Sequence, residues 1–342
     1  MKIRPYRTEM RSEWNQYVLK SGQASLFHRM EWKNLIEREF GYEARYLLAE
    51  EGGRIRGILP LFLVSNWIQG RALISTPFAV YGGVCADSKA AEIDLQKAAC
   101  EMAEREAVEY LELRTRYPVA QNGFHVKELY VTFDCSLESD SETLFGRLPK
   151  DTRYMVRRGR KNGLRLESDP ALLDTFYKIY ARSVHHLGTP VFSRHYFATL
   201  REEFGEAVEI AVVWQGSQAV AAVLSFRFRD SLLPYYGGST PEGRELGANN
   251  FMYWELIHRA CERGLRRYDF GRSKLGTGSY FFKAQWKMEE KPLPYLYYLV
   301  RRRTLPNFSP ANSRFRIAVE LWKHMPLPLT KVLGPAVVRL FP

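Results

Sequence analysis

Cysteine is scarce in this chain, and its four copies are scattered. Cys85, Cys100, Cys135 and Cys261 form no Cys-x-x-Cys pair. That argues against a disulfide framework and a zinc knuckle, and it fits a reducing cytoplasm with each thiol a small buried hydrophobe. Long apolar runs are also missing: the cleanest, Gly57 to Val64, falls far short of a membrane span. The opening residues, Met1-Lys2-Ile3-Arg4-Pro5, carry no apolar core of a secretory signal, so a cytoplasmic location is expected. No Gly-x-Ser-x-Gly elbow or Cys–His nucleophile pattern is present, which argues against covalent catalysis. His185, His186 and His195 lack metal-ligand spacing, so no metal is expected. Acidic residues are in deficit, with 38 Asp and Glu against 50 Lys and Arg, a net charge of +12.

The surplus of positive charge is localised. Arg147 to Arg165 holds eight basic residues against Asp151, and Lys287 to Pro342 holds ten against three acids. Charge gathered in this way implies an anionic partner, whether phosphate, nucleic acid or an anionic membrane surface; for any single residue, a solvated surface explains it equally well. The 342 residues leave room for two domains with separate cores.

Two stretches follow one plan. In the first, a turn at Gly52-Gly53 leads to Tyr81-Gly82-Gly83, then a helix to about Ala107, then the strand Tyr110 to Arg114. In the second, a turn at Gly216 leads to Tyr236-Gly237-Gly238, a helix from Ala248 to Arg263, and the strand Tyr268 to Arg272. Tyr-Gly-Gly precedes the strand tyrosine by 29 residues in one copy and 32 in the other, which suggests one supersecondary unit used twice. Around these, the pattern predicts helices at 10–20, 30–40, 92–106, 150–162 and 193–204, with Ile93, Ala99, Met102 and Ala103 on one side of the third. It also predicts strands at 55–64 and 78–84, and a capping box of Ser139 with Glu142. The fold class is α/β with mixed, largely antiparallel sheets. Domains are expected at 1–138 and 139–303, followed by a basic, apolar tail at 304–342, with a ligand-binding cleft between the halves.

Three segments could carry chemistry. In the helix from Lys150 to Asn162, Arg153, Arg157 and Lys161 fall at i, i+4 and i+8 and line one face. Like charges at that spacing and Gly159 inside the helix both weaken it, and bound phosphate groups would offset this; an exposed helix with scattered ion pairs is the plainer alternative. Arg244-Glu245-Leu246-Gly247-Ala248-Asn249 precedes a helix, where free N–H groups can cradle phosphate. It partly matches the Arg/Gln-x-x-Gly-x-Gly/Ala loop of Gcn5-related acyltransferases, with Arg244 and Gly247 fitting and Asn249 departing. A turn with an Asn N-cap explains it about as well. Finally, Lys283 lies among Tyr280, Phe281, Phe282 and Trp286, where a half-buried cation could steady an oxyanion, although by pattern alone it snorkels to solvent.

Taken together, the doubled unit, the basic stretch from Leu148 to Gly163, Leu187-Gly188-Thr189-Pro190, Tyr268-Asp269-Phe270-Gly271-Arg272 and Phe282-Lys283 resemble the FemAB-like proteins. The resemblance covers roughly residues 1 to 300 and is strongest to the branch found with exosortase (PEP-CTERM) and exopolysaccharide systems. It implies two tandem Gcn5-related acyltransferase-type domains and an amide-forming acyl or aminoacyl transfer to an amine acceptor, small or lipid-linked, of a cell-envelope precursor. No tightly bound cofactor is implied, and the donor is aminoacyl-tRNA or, on the partial glycine loop, acyl-CoA. Phe282 and Lys283 match the pair that meets the donor, and Arg244, Gly247, Tyr236 and Arg272 join them as donor-binding candidates. Lys283 and Asp269 are the catalytic candidates, while Lys150, Arg153, Arg157 and Lys161 are those for acceptor or phosphate. The helical arm of some members is absent, and Arg301-Arg302-Arg303 lies outside the family pattern. A rival expectation is a non-catalytic adaptor. Met325 to Pro342 carries only Lys331 and Arg339 as charges, so it could lie on an anionic membrane, or else pack on the second domain, its prolines arguing against a long helix.

Overall fold

The computed structural model describes residues 1–117, 119, 123–307 and 313–342. The chain forms two compact units. One comprises Met1–Tyr130, Pro292–Phe308 and Arg339–Pro342, and the other Val131–Lys291 and Ser309–Val338. These breaks compare with the expected ones at 138/139 and 303/304. Residues Tyr295–Leu299 return to the first unit because they pair antiparallel with Tyr110–Arg114. Arg339–Pro342 returns through hydrogen bonds: Tyr42 donates to the Arg339 carbonyl at 2.6 Å, and Gln69 to that of Leu340 at 2.7 Å.

In the first unit a small antiparallel sheet carries Lys2–Pro5, Leu47–Glu51, Arg54–Leu59 and Cys85–Ala86 in that order. The run predicted as one strand over 55–64 divides, with Arg54–Leu59 in this sheet and Phe62–Asn66 in another. The division falls at Pro60, which has no N–H for a ladder. The hairpin Phe62–Asn66 and Gly70–Ile74 then leads through the helix Lys89–Arg105 to Tyr110–Arg114, which runs parallel to Gly70–Ile74. On that helix Ala99, Met102 and Ala103 are buried as predicted, while Ile93 is exposed and Leu95 is buried in the first turns instead.

Residues 78–84 form a loop instead of the predicted strand. Thr76, Phe78 and Gly82 all have positive φ, which breaks the pleat. A Cβ on Gly82 would stand 2.1 Å from the Thr76 hydroxyl, so only glycine fits. The buried Arg114 side chain holds this loop, donating to the carbonyls of Thr76 and Ala79, to the Pro342 oxygen, and to the Glu112 carboxylate at 2.8 Å.

The second unit begins its sheet with an antiparallel series: Leu164–Ser168, Val208–Gln215, Gln218–Phe228 and Ser231–Ser239. Val220 to Leu224 are all buried, the unbroken apolar run of a strand covered on both faces. On one face lie Leu173–His186 and Arg194–Phe204; on the other, Ala248–Glu262 and Lys150–Lys161 share a core with Phe145, Val156 and Trp254. The helix Ala248–Glu262 crosses to Arg267–Asp269, parallel to Ser231–Ser239 and antiparallel to Asp134–Ser136. Asp140, and not Ser139, caps the helix Ser141–Arg147, its carboxylate accepting from the amides of Glu142 and Thr143.

Both units therefore contain strand, helix and parallel strand, with Tyr110 opposite Ala72 and Tyr268 opposite Leu232. The Tyr-Gly-Gly triplets do not correspond, since 236–238 lies within a strand and 81–83 within a loop. The segment expected as a tail forms two helices of the second unit, Ser313–His324 and Leu327–Val338, the latter with Pro335 inside.

Replacing Arg114 with Met should destabilise the protein by about 3–5 kcal/mol, because Glu112 would be left buried without its cation. Urea denaturation compared with wild type checks this, and a loss under 1 kcal/mol would show that the pair is dispensable.

Candidate active site

The side chain that organises the second unit's candidate site is Lys283. It lies near the end of the helix Gly278–Ala284, whose first turn is capped by the Thr277 hydroxyl. Its ammonium donates to three consecutive carbonyls, Phe270 at 2.6 Å, Gly271 at 3.0 Å and Arg272 at 3.2 Å. Three carbonyls can turn toward one point because Gly271 takes a left-handed conformation, φ +69°. From the other side, Asp269 Oδ1 accepts from the Gly271 amide at 2.8 Å and the Thr132 hydroxyl at 2.7 Å, while the Phe270 amide donates to Phe133. Lys283 is only 9% exposed. Burial pushes its pKa down to about 8, the nearby Asp269 carboxylate opposing this and Arg272 reinforcing it. With three protons on three carbonyls, the ammonium has none left for a substrate oxyanion, and its direct effect is on the 270–272 loop.

Around the loop stands an aromatic cluster. Tyr253 packs against Phe270 and Phe282 at 5.1 and 5.6 Å, and Phe270 against Trp286 at 5.3 Å. The Thr152 hydroxyl donates to the Gln285 carbonyl at 3.1 Å, which ties the helix Lys150–Lys161 to the Lys283 segment. The structure thus brings together Lys283, Asp269, Arg272, Phe282 and the first turn of the basic helix, which carries Lys150 and Arg153. Further along that helix, Arg157 lies over the Phe145 ring at 5.5 Å, and Arg160 pairs with Glu255. Among the described residues, Lys150, Arg153, Arg158 and Lys161 make no side-chain ion pair or hydrogen bond, and Arg153 Nε is buried without a partner.

Two glycines acquire packing reasons. A Cβ on Gly159 would meet Phe251 at 2.7 Å, so its presence lets two helices approach. Gly247, with φ +82°, ends the helix Pro241–Leu246 and begins Ala248–Glu262; a Cβ there would stand 2.8 Å from the Met155 carbonyl of the basic helix. Its amide already donates to the Arg244 carbonyl. Arg244 is exposed. Tyr236 belongs to a separate aromatic core on the other face of the sheet, its hydroxyl 2.8 Å from that of Tyr196.

Sequence reasoning did not single out Thr132, Thr152 or Tyr253, whose roles come from pairings across more than a hundred residues or from a helix face shared with ordinary core residues. It also missed a small cleft in the first unit, lined by Gln23, His28, Tyr81, Glu92, Arg116 and Tyr117 among others. There the Ser25 amide donates to His28 Nδ1, leaving Nε2–H to donate to the Gly83 carbonyl at 3.0 Å, and Arg116 stacks 4.6 Å over Tyr81. No group of His, Cys, Asp and Glu suited to a metal occurs among the described residues.

Residues 148–287, which span the basic helix and the Lys283 segment, match the family model described as acetyltransferase (GNAT) domain. Across the whole chain, the crystal structure of FemX superposes with a TM-score of 0.71 at 16% identity, covering 88% of this chain and 98% of that one. The fold is that of FemX, with GNAT-type domains in tandem. A tandem GNAT protein from the clavulanic acid biosynthesis pathway gives a TM-score of 0.55 at 11% identity, covering 89% and 99%. The C-terminal domain of a protein described as a lysylphosphatidylglycerol synthetase, from Agrobacterium fabrum, gives 0.57 at 14%, covering 85% and 92%. No curated protein matches the chain.

The lowered pKa of Lys283 has a testable sign. Between about pH 8 and the ordinary lysine value of 10.5, the unfolded chain holds a proton that the folded one has released. Folding stability therefore rises with pH across that window, and this contribution is lost as pH falls through 8. Relative to Lys283→Met, wild type should gain on the order of 3 kcal/mol between pH 7 and pH 10.5. Parallel urea titrations of both proteins measure the difference, and a pH-independent difference would show that the amine titrates normally.

Proposed function

We propose that this protein is an amide-forming acyltransferase that moves an aminoacyl group from aminoacyl-tRNA to an amine on a cell-envelope or exopolysaccharide precursor. The observation that carries this reading is the uncommitted positive charge of Lys150, Arg153, Arg158 and Lys161, on a helix tied by Thr152 to the Lys283 segment. The match of this same stretch to an acetyltransferase domain supports acyl transfer as the chemistry. Similarity in fold to FemX and to a protein described as a lysylphosphatidylglycerol synthetase supports an aminoacyl donor and an envelope acceptor.

In this reaction the acceptor nitrogen bonds to the acyl carbon, the ester C–O bond breaks, the amine loses a proton to solvent and the leaving hydroxyl gains one. Catalysis rests on positioning and charge rather than a covalent intermediate. Lys283 and Asp269 serve as positioning residues that fix the loop beside Phe282 and Tyr253. The cations of the basic helix hold the phosphates of the donor. The acyl-CoA alternative leans on Arg244 and Gly247, and packing on the basic helix already accounts for Gly247.

Equilibrium binding to aminoacylated and uncharged tRNA, with acetyl-CoA as competitor and salt near physiological strength, tests the proposal. Tighter binding of charged tRNA, weakened about tenfold by Lys150→Gln with Arg153→Gln, is expected. A Lys283→Ala variant should bind tRNA with its preference for the charged form lost. Binding of acetyl-CoA alone, abolished by Arg244→Ala, would move the protein to the CoA-dependent class, and binding of neither would favour an adaptor.

A further inference from the structure

The helices Ser313–His324 and Leu327–Val338 lie against the segment that follows the helix Leu173–His186. The Cβ position of Gly188 is 2.6 Å from Val319, and that of Gly334 is 2.5 Å from the Val191 carbonyl. The ring of His185 hydrogen-bonds the Met325 carbonyl at 2.9 Å, and Thr330 is fully buried. With their inner sides occupied in this way, the same elements leave aliphatic side chains outside. Ile317 and Leu321 are 71% and 64% exposed at i and i+4, and Val332 is 74% exposed with Leu329 and Leu333 beside it. Leu187, next to Gly188, is 66% exposed. Single exposed leucines are ordinary, but six such side chains on two helices that both pack on Leu173–His186 and on the residue that follows it call for an occupant.

Charge indicates which occupant. From 313 to 342 the sequence carries Arg314, Arg316, Lys323, Lys331 and Arg339 against Glu320 alone. Lys331 extends over the Tyr177 ring at 5.0 Å. A second copy would oppose this surplus with the same one, on a chain of net charge +12. An anionic lipid surface complements it, and short helices with aliphatic outward faces and basic flanks suit the boundary between headgroups and acyl chains. Among the described residues, no helix is long and apolar enough to cross a membrane.

We infer that this face is a peripheral docking surface for an anionic bilayer, with Ile317, Leu321, Leu329, Val332 and Leu333 entering the interface. The inference stands apart from the donor and the reaction, since it uses no residue of the Lys283 site.

Flotation of the full chain with vesicles of phosphatidylcholine alone, or of phosphatidylcholine mixed with phosphatidylglycerol, tests it. Binding to the anionic vesicles is expected, falling with added salt, and weakened at least about tenfold by Leu321→Glu with Val332→Glu. Leu19→Glu, at a leucine of the first unit that is 54% exposed, should leave binding intact. Thermal melts of each variant confirm folding, and a Leu321→Ser, Val332→Ser pair repeats the test if the glutamates unfold the helices. Failure to bind either vesicle, or binding that the double variants retain, would overturn the inference. So would a concentration-dependent dimer in light scattering that the variants dissolve, because the face would then belong to a second copy.

Discussion

Much of the second unit's candidate site depends on one constraint: a lysine ammonium taken out of water must find acceptors for all its protons. At Lys283 the acceptors are three successive carbonyls, and drawing them to one point requires the left-handed turn at Gly271. The turn in turn places the Gly271 amide on Asp269, whose other partner, Thr132, lies on a different strand. Helix, loop and two strands are thereby fixed by a single buried charge. The same arrangement uses the amides of Phe270 and Gly271 internally, so neither remains to stabilise an oxyanion. The uncommitted charge near this loop sits instead on the basic helix, on Lys150, Arg158 and Lys161.

Glycine on this helix face reads differently in space than in sequence. Gly159 looked like a weakness that a bound phosphate would offset, and Gly247 like part of a phosphate cradle. Both mark close approaches of the basic helix to its neighbours, to Phe251 in one case and from Gly247 to Met155 in the other. The two reasons are not equivalent. A glycine required for helix packing keeps its place whether or not a ligand binds, so it is no evidence of one. Arg157 and Arg160 lie over the Phe145 ring, but the exposed Lys150, Arg158 and Lys161 are not explained by packing and retain their weight.

How far the sequence spoke can be judged residue by residue. Local spacing and capping chemistry located helices such as Met30–Phe40 with Gly41 and Arg194–Phe204 with the Ser193 cap, but not Pro241–Leu246 or the two helices of the expected tail. The strand predicted at 78–84 failed because the side chain that bends it, Arg114, is thirty residues away and acts only after folding. Lys283 stood out among aromatics, although its pattern alone favoured a side chain that snorkels to solvent and only the family resemblance pointed the other way. That its partners are carbonyls was not legible, since a backbone acceptor leaves no mark in residue identity. Tyr236 was misleading for a related reason: the Tyr-Gly-Gly triplet is the same string in two settings, one a pleated strand beside Ser183 and the other a loop under Thr76.

The two copies of the strand–helix–strand unit also differ in what they do with charge. Counting from the strand tyrosines, Arg114 stands where Arg272 does, and Glu112 where Phe270 does. In the first unit that glutamate and arginine form a buried pair, and the strand runs on through both. With Phe270 in place of the glutamate and Gly271 after it, the strand ends early, the backbone turns, and the carbonyls it exposes are met by the Lys283 ammonium. One unit neutralises its charge within the strand and gains a rigid frame. The other imports its charge from a separate helix, which leaves a loop whose position depends on that lysine. A loop held by side chains such as Lys283 and Asp269 is easier to adapt to a ligand than a strand held by its own ladder. That physical asymmetry sets the second copy apart from the first, and the match to the acetyltransferase family model, residues 148–287, falls within it.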